Sequence, residues 1–421
     1  MNVGVVVIIF LLVLSFLGVP IFIALGIGTL VALHMADMAL IVLPQKLFAG
    51  MNSSSLLAIP FFILAGSLMS RSITEKLINI ANALIGQIKG SLGVVTVLSS
   101  TLFGAISGSG VATASAIGGI TIPAMKKSGY PDEFATAISS ISSILGPIIP
   151  PSIPLIVYAS VSTVSVASLF IGSVLPGILL ACAIAVYCLI YGRKHDLPSY
   201  RKSSPIEILR AFKNGIWALL MPIIILGGIF GGIFTPTEAA AVSVALFVSG
   251  LIYKDLTWKD IPQVFVETSI STATIMMLVG LSKASSYVVV TSGLPQQMLE
   301  FFTSITSSKA VILLLLNLLF LIIGMLMEAS AAIIMMTPLL TPLLPVFNID
   351  PLTFGVMMSF NLCIGLVTPP VGLCLLVCNQ IGETSLSKTI RTMIPTLIIS
   401  LVALMLVTFI PQLTQWLPSI L

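Results

Sequence analysis

Two tandem prolines, Pro150-Pro151 and Pro369-Pro370, each interrupt an apolar stretch long enough for a membrane helix. Proline has no amide hydrogen to donate, and it pushes the residue before it out of the helical region. A pair therefore ends one helix and frees carbonyls in its last turn. Within hydrocarbon such a break is tolerated only where protein or an aqueous cavity surrounds it.

The rest of the chain makes hydrocarbon the relevant solvent. Of 421 residues, 57% are hydrophobic and only 8% charged, and the mean hydropathy is +1.18. Soluble domains carry about a quarter charged residues, so the chain is an all-α polytopic membrane protein. Glycines and prolines scattered through the apolar stretches suit broken, closely packed membrane helices. The net charge of +4 reflects loop lysines and arginines, with no polar segment long enough to hold nucleic acid. Residues 3–17 are expected to be a retained first span, because no basic residue precedes them as in a cleavable signal.

Nothing in the sequence points to an enzyme or a bound cofactor. The two histidines, His34 and His195, fall near span ends, and there is no HExxH, no paired intramembrane aspartate and no CxxC. The five cysteines (Cys182, Cys188, Cys363, Cys374, Cys378) lie in apolar stretches and are expected to be small buried hydrophobes.

The proline pairs stand 219 residues apart, and the same offset pairs Pro123 with Pro342, Gly146 with Gly365 and Pro176 with Pro395. Pro20 and Pro236 extend the likeness upstream at an offset of 216. The spacing predicts two repeats, 1–190 and 215–421, joined by a basic linker at 191–214. The first repeat is expected to hold scaffold helices (1–90), a re-entrant hairpin (92–125), a broken helix (132–165) and a last span (168–192). The second should repeat the plan with scaffold helices (215–292), a hairpin (310–345), a broken helix (351–382) and a last span (388–410). Polar segments 45–55 and 255–267 read as matching interfacial arms. Within 235–238, Thr235 and Glu238 have capping-box spacing for a helix over 239–253.

Orientation follows from the positive-inside rule. The linker's Arg193, Lys194, Arg201, Lys202, Arg210 and Lys213 belong in the cytoplasm. Threading outward leaves Lys46 and Lys309 outside and Lys283 within a span, its long stem free to snorkel. The other 15 of the 18 lysines and arginines are then cytoplasmic. The N-terminus is outside, and the two repeats are inverted relative to each other. Matched helix breaks in inverted repeats are the sequence mark of a secondary transporter's binding site.

At each break, carbonyls at a helix C-terminal end suit a hard cation such as sodium, and amides opening the next helix suit an anionic group. The hairpin tips, Ser107-Gly108-Ser109-Gly110 and Glu328-Ala329-Ser330, should meet the breaks near the midplane. Expected sodium ligands are Ser107, Gly108, Gly110, Gly146 and Ile149 in the first half. Gly324, Ala329, Gly365 and Thr368 complete the set in the second. Expected substrate contacts are Ser107, Ser109, Ser152, Glu328 and Ser330. A bulky residue at Ser107 or Ser152 should block transport without preventing membrane insertion. Glu328 is the one acid expected at membrane depth in either tip, where a carboxylate is costly and so marks function.

Six segments together resemble one family. They are SSSLLAIPFFILAG (53–66), LFGAISGSGVATASAIGG (102–119), GPIIPPSIPLIVYA (146–159), GGIFTPTEAAAV (231–242), ASAAIIMMTPLLTPLL (329–344) and GLVTPPVGL (365–373). The chain is similar over its whole length to the large, DctM-like membrane subunit of tripartite ATP-independent periplasmic (TRAP) transporters. Members of that family often have Asp where this chain has Glu328. The resemblance implies a sodium-driven elevator importer of small organic acids in a bacterial inner membrane. Sialic acid, C4-dicarboxylates and other sugar or keto acids are the implied substrates. It also implies two separate partners, a small four-helix membrane subunit and a periplasmic substrate-binding protein. A stand-alone sodium/anion symporter of the same architecture is the alternative, distinguished by uptake of free substrate without a binding protein.

Overall fold

The computed structural model describes residues 2–72, 74–198, 203–252 and 258–420, and among these every regular element is helical. The linker residues 199–202, with Arg201 and Lys202, and the arm residues 255–257 lie outside the described residues. Among the described residues five helical segments are both long and apolar enough to cross a membrane: 132–161, 166–194, 261–291, 309–326 and 386–409. Shorter apolar helices fill the space between them.

The chain opens with α1 (Val3–Phe16), α2 (Ile21–Met35) and α3 (Val42–Met51), then a 3-10 turn over 54–57 that leads into α4 (Ala58–Ser72). An amphipathic helix, α5 (Thr74–Ile85), precedes the first hairpin, α6 (Ser91–Ser107) and α7 (Gly110–Lys127). Next come α8 (Asp132–Ser143), the single turn α9 (Leu145–Ile148), the Pro150-Pro151 break and α10 (Ile153–Val161). The long α11 (Val166–Lys194) ends this part.

The second part begins with α12 (Pro205–Asn214), α13 (Ile216–Phe230), α14 (Pro236–Ile252) and α15 (Ile261–Thr291). A second amphipathic helix, α16 (Leu294–Ile305), leads to α17 (Lys309–Leu326) and α18 (Ala329–Leu340). After the short α19 (Leu343–Val346), α20 (Pro351–Gly365) ends ahead of Pro369-Pro370, and α21 (Leu373–Gly382) resumes beyond it. The last elements are α22 (Leu386–Phe409) and the turn α23 (Gln412–Gln415).

Local chemistry accounts for several boundaries. Thr235 caps α14: its amide donates to the Glu238 carboxylate at 2.8 Å, and the Glu238 amide donates to the Thr235 hydroxyl at 3.3 Å. Ser204 and Glu207 make the same reciprocal pair at α12. The proposed arm at 255–267 is different from the reading of its sequence. Its residues 261–267 are the first turns of α15, with Pro262 in the first turn and Gln263 donating to Glu267 at 3.0 Å one turn on. A polar start does not stop a helix when its side chains pair along the same face. The 42–51 segment is itself helical and packs on α15, where Lys46 sits 4.2 Å above the Tyr287 ring.

α3, α2, α4 and α18 all pack on α15, and α4 also packs on α14. The other group gathers α6 to α11 with α17, α18 and α20 to α22. Inside it α6 runs parallel to α8, since Gly93 meets Phe134 near one end and Gly104 abuts Gly146 near the other. The contact of Gly324 with Leu362 and Gly365 gives α17 and α20 the same parallel relation. Small residues let these backbones touch, as membrane helix pairs require. Cys188, Cys363, Cys374 and Cys378 are buried, while Cys182 faces the outer surface of α11. Near the start of α6, the Lys89 ammonium bonds Asp196 and holds its carboxyl below the usual carboxylate range.

A buried polar chain fixes the second hairpin. Asn361 donates to the Asn317 carbonyl and side-chain oxygens, both at 2.8 Å, and Asn317 donates to the Thr408 hydroxyl at 3.0 Å. These bonds join α17, α20 and α22. Asn317→Leu would leave the Asn361 amide short of an acceptor in a dry interior. Inter-helix bonds of this kind contribute about 0.6 kcal/mol on average and up to about 1.7. The variant is expected to lower the melting temperature in detergent by a few degrees, whereas Leu318→Ala on the exposed side of α17 should not.

Candidate functional site

Both hairpin tips open onto one cavity of about 780 Å³. Its walls come from the first tip (Ser107 to Ala112), the second tip (Glu328 to Ser330), Pro147, Ile153, Pro154 and Leu366 at the breaks, and α4 and α15 opposite. Among the described residues lining it, Glu328 is the one charged side chain; no lysine, arginine or histidine is present. Lys283 is exposed elsewhere on α15, with its stem against Gly50.

The first tip is shaped by a left-handed glycine. Gly108 ends α6 with φ +60°, and its amide bonds the Gly104 carbonyl at 3.1 Å. Ser109 returns to extended backbone and caps α7, its hydroxyl accepting from the Ala112 amide at 3.4 Å. The amides of Gly110 and Val111, which open α7 at the cavity wall, have no partner among the described residues. Ile153, the first residue of α10, donates to the Gly108 carbonyl at 3.4 Å, so the tip is tied to the far side of the break.

Absent side chains bring oxygens together here. A Cβ on Gly108 would lie 2.6 Å from the Pro151 carbonyl oxygen, and one on Gly146 would lie 2.7 Å from the Ser109 carbonyl and closer still to the Thr113 hydroxyl. Thr113 donates to the Ser109 carbonyl at 2.8 Å and lies 3.4 Å from the Ser107 hydroxyl. Ser107, the Ser109 carbonyl and Thr113 therefore gather as neutral oxygens, and the Pro151 carbonyl lies against Gly108 at the same tip. Thr113 was not singled out in the sequence, although its position one turn after Ser109 on the same helix face is a usable signal.

The second tip is built around Glu328. Met327 and Glu328 are extended, and Glu328 is the N-cap of α18. One carboxylate oxygen accepts from the Ser330 amide at 2.8 Å and the Ala331 amide at 3.2 Å; the other accepts from the Ser330 hydroxyl at 2.9 Å. A carboxylate at a helix N-terminus faces the positive end of its dipole, which offsets part of the cost of burial. Ser330 thus serves Glu328, and its hydroxyl hydrogen is not free for another acceptor.

Several carbonyls at the breaks are already engaged, that of Gly365 among the expected ligands included. At the first break the Leu145 carbonyl accepts from the Ile149 amide at 2.9 Å, and the Pro147 carbonyl accepts from the Ser152 hydroxyl at 2.5 Å. At the second, Gly365 accepts from the Thr368 amide at 3.0 Å and Leu366 from the Cys374 amide at 2.9 Å. The Thr368 hydroxyl turns back to Ile364 at 2.8 Å. Short polar side chains next to a break, Ser152 after the first and Thr368 before the second, close it locally, which a sequence reading of freed carbonyls overlooks.

Of the expected residues, Ser107, Gly108, Ser109, Gly110, Glu328, Ala329 and Ser330 line the cavity. Gly146, Ile149, Ser152, Gly324, Gly365 and Thr368 are not among the residues that line it, and Gly146 backs the first tip at Ser109 and Thr113. Ser152 is fully buried and caps α10 by accepting from Leu155 at 3.3 Å, so a substrate contact there does not follow from its placement. Ser152→Leu is therefore expected to lower yield and melting temperature rather than leave a well-folded, blocked transporter. Removing a cap costs about 1 kcal/mol before any overpacking. The scaffold side adds hydroxyls that the sequence did not reveal: Ser67, Ser70, Ser271 and Thr274.

Residues 8–413 match the family described as tripartite ATP-independent periplasmic transporter, DctM component. The sialic acid TRAP transporter large permease protein SiaM of Vibrio cholerae is 38% identical, covering 89% of each chain. The C4-dicarboxylate TRAP transporter large permease protein DctM of Pseudomonas aeruginosa is 40% identical over 89% of this chain and 88% of that one. YiaN of Escherichia coli, a 2,3-diketo-L-gulonate TRAP transporter large permease protein, is 34% identical and covers 94% of each. The solved YdaH transporter of Alcanivorax borkumensis shares the fold at 14% identity, with a TM-score of 0.63 over 97% of this chain and 98% of that one.

Proposed function

The chain belongs to the DctM-component family of tripartite ATP-independent periplasmic transporters, and from that premise we propose that it carries a small organic acid inward through the cavity between its two hairpin tips, driven by sodium. The observation that carries this reading is the cavity itself. One tip offers a cluster of neutral oxygens (Ser107, Ser109, Thr113), the donor type of a hard monovalent cation. The same tip turns the unpaired amides of Gly110 and Val111 toward the cavity, where they suit a substrate carboxylate. With no basic side chain on the wall, helix amides and bound sodium supply the positive field. Named relatives serve sialic acid, C4-dicarboxylate and 2,3-diketo-L-gulonate systems, which supports an acid and leaves its identity to experiment.

In this reading the two halves are inverted repeats in a bacterial inner membrane, with the N-terminus in the periplasm and the basic linker in the cytoplasm. The parallel pairs α6/α8 and α17/α20, each closed by a glycine contact, support the repeat. The group holding both hairpins moves as an elevator past α2, α4 and α15. A small four-helix membrane subunit and a periplasmic binding protein complete the system. Proteoliposomes with this chain and its small subunit should take up a labelled acid only with an inward sodium gradient and the cognate binding protein. Uptake indifferent to sodium contradicts the coupling; uptake of free acid without a binding protein favours a stand-alone symporter.

A further inference from the structure

Two hydroxyls about two turns below the first tip are buried without a partner. Ser100 on α6 and Ser142 on α8 are 1% and 0% exposed, and neither oxygen makes a hydrogen bond. Ser99 on α6 is likewise buried without a partner, but Thr96, Ser140 and Ser143 turn back to their own backbone, bonding Leu92, Thr136 and Ser140 at 2.7 to 2.8 Å. Ser100 and Ser142 do not.

The register of the two helices puts the pair on facing sides. α6 and α8 run parallel, and Gly104 and Gly146 abut. Ser100 and Ser142 each stand four residues before those glycines, so each shares the helix face that meets the other helix. Thr96, one further turn down α6 and fully buried, uses its hydroxyl hydrogen on Leu92 and keeps its oxygen as an acceptor. The result is a short column of neutral oxygens under the Ser107–Thr113 cluster, running toward the end of the helices that carries Lys89 and the Lys126–Asp132 ion pair.

We propose that Ser100 and Ser142 form a second cation site, a transit position for sodium between α6 and α8. It rests on the reading that sodium occupies the oxygen cluster at the first tip. Buried hydroxyls without partners are costly to keep in a packed helix pair, and an ion between them satisfies both. Neutral oxygens with no carboxylate, thiol or imidazole select a monovalent hard ion over a divalent or transition metal. The position lies between the tip and the helix ends that carry Lys89 and Asp132, so an ion leaving that way would pass it.

The test is sodium-dependent thermal stability of the purified full chain, titrated with sodium chloride against potassium chloride. In Ser100→Ala/Ser142→Ala the sodium concentration giving half of the stabilisation is expected to rise at least about threefold, the loss of one modest ligand interaction. The melting temperature in potassium should be no lower than that of the unaltered chain, because two unsatisfied hydroxyls are gone. Ser100→Cys/Ser142→Cys keeps the size but offers soft sulfur, and should show the same weakened sodium response. An unchanged sodium midpoint in either double variant overturns the proposal and leaves the pair as packing or a water site. If the unaltered chain is not stabilised by sodium at all, the coupling reading falls first and this site falls with it.

Discussion

Glu328→Ala is expected to reduce sodium-driven acid uptake by about a hundredfold or more, with the protein still inserted in the membrane. The carboxylate accepts three hydrogen bonds from Ser330 and Ala331 and is the one charge on the cavity wall among the described residues. Hydrogen bonds to a charged group contribute about 1.5–3 kcal/mol each, and a hundredfold loss needs only about 2.8 kcal/mol. A structural explanation competes with the functional one, since Glu328 also caps α18. Glu328→Ser separates them. Serine is a strong N-cap, so it should restore helix stability and melting temperature while leaving uptake near that of the alanine variant. Recovery of uptake in the serine variant would make Glu328 a cap and nothing more. Glu328→Asp keeps the charge but withdraws it by about one C–C bond length, roughly 1.5 Å, and should retain partial uptake.

Gly146→Val should abolish uptake by a different route. A Cβ at Gly146 meets the Ser109 carbonyl at 2.7 Å and comes closer still to Thr113, two members of the oxygen cluster. The valine must push the first tip away from the break. Overpacking of this kind costs about 1–3 kcal/mol, enough to lower the melting temperature and, more sharply, to scatter the cation ligands. Gly119→Ala is the control. Nothing lies within 4 Å of the Cβ it would add, so it should leave uptake unchanged and favour the helix by up to about 1 kcal/mol. Equal loss in both glycine variants would mean that α7 and α9 alike tolerate no substitution, and the cluster would lose its special standing.

The features legible in the sequence are those written in backbone chemistry. Pro150-Pro151 and Pro369-Pro370 interrupt helices wherever they occur, Gly108 permits the left-handed turn, and Thr235 with Glu238 declares a cap. Glu328 stood out because an acid at membrane depth is rare. Ser67, Ser271 and Thr274 were not legible, since a hydroxyl on an apolar helix has the same sequence signature whether it faces a cavity or a neighbour. The local closure of the breaks by Ser152 and Thr368 was missed for a related reason. A proline predicts a freed carbonyl, but only geometry shows which short side chain reaches it. The amphipathic helices α5 and α16 that precede the hairpins were not read from the sequence: α5 fell inside the scaffold segment 1–90, and α16 fell in the stretch 293–309 between two predicted segments.

The central claim is that the transported acid passes between the two tips. Ser109→Cys places a thiol on the cavity wall beside the opening of α7, in a chain whose cysteines at 188, 363, 374 and 378 are buried. With Cys182 changed to Ala, a small charged thiol reagent should label Cys at position 109 in reconstituted, transport-competent protein. The acid found to be taken up should slow that labelling at least about tenfold in sodium and much less in potassium, the mark of a ligand held with a coupling ion. A labelling rate that ignores saturating acid in sodium would contradict the account.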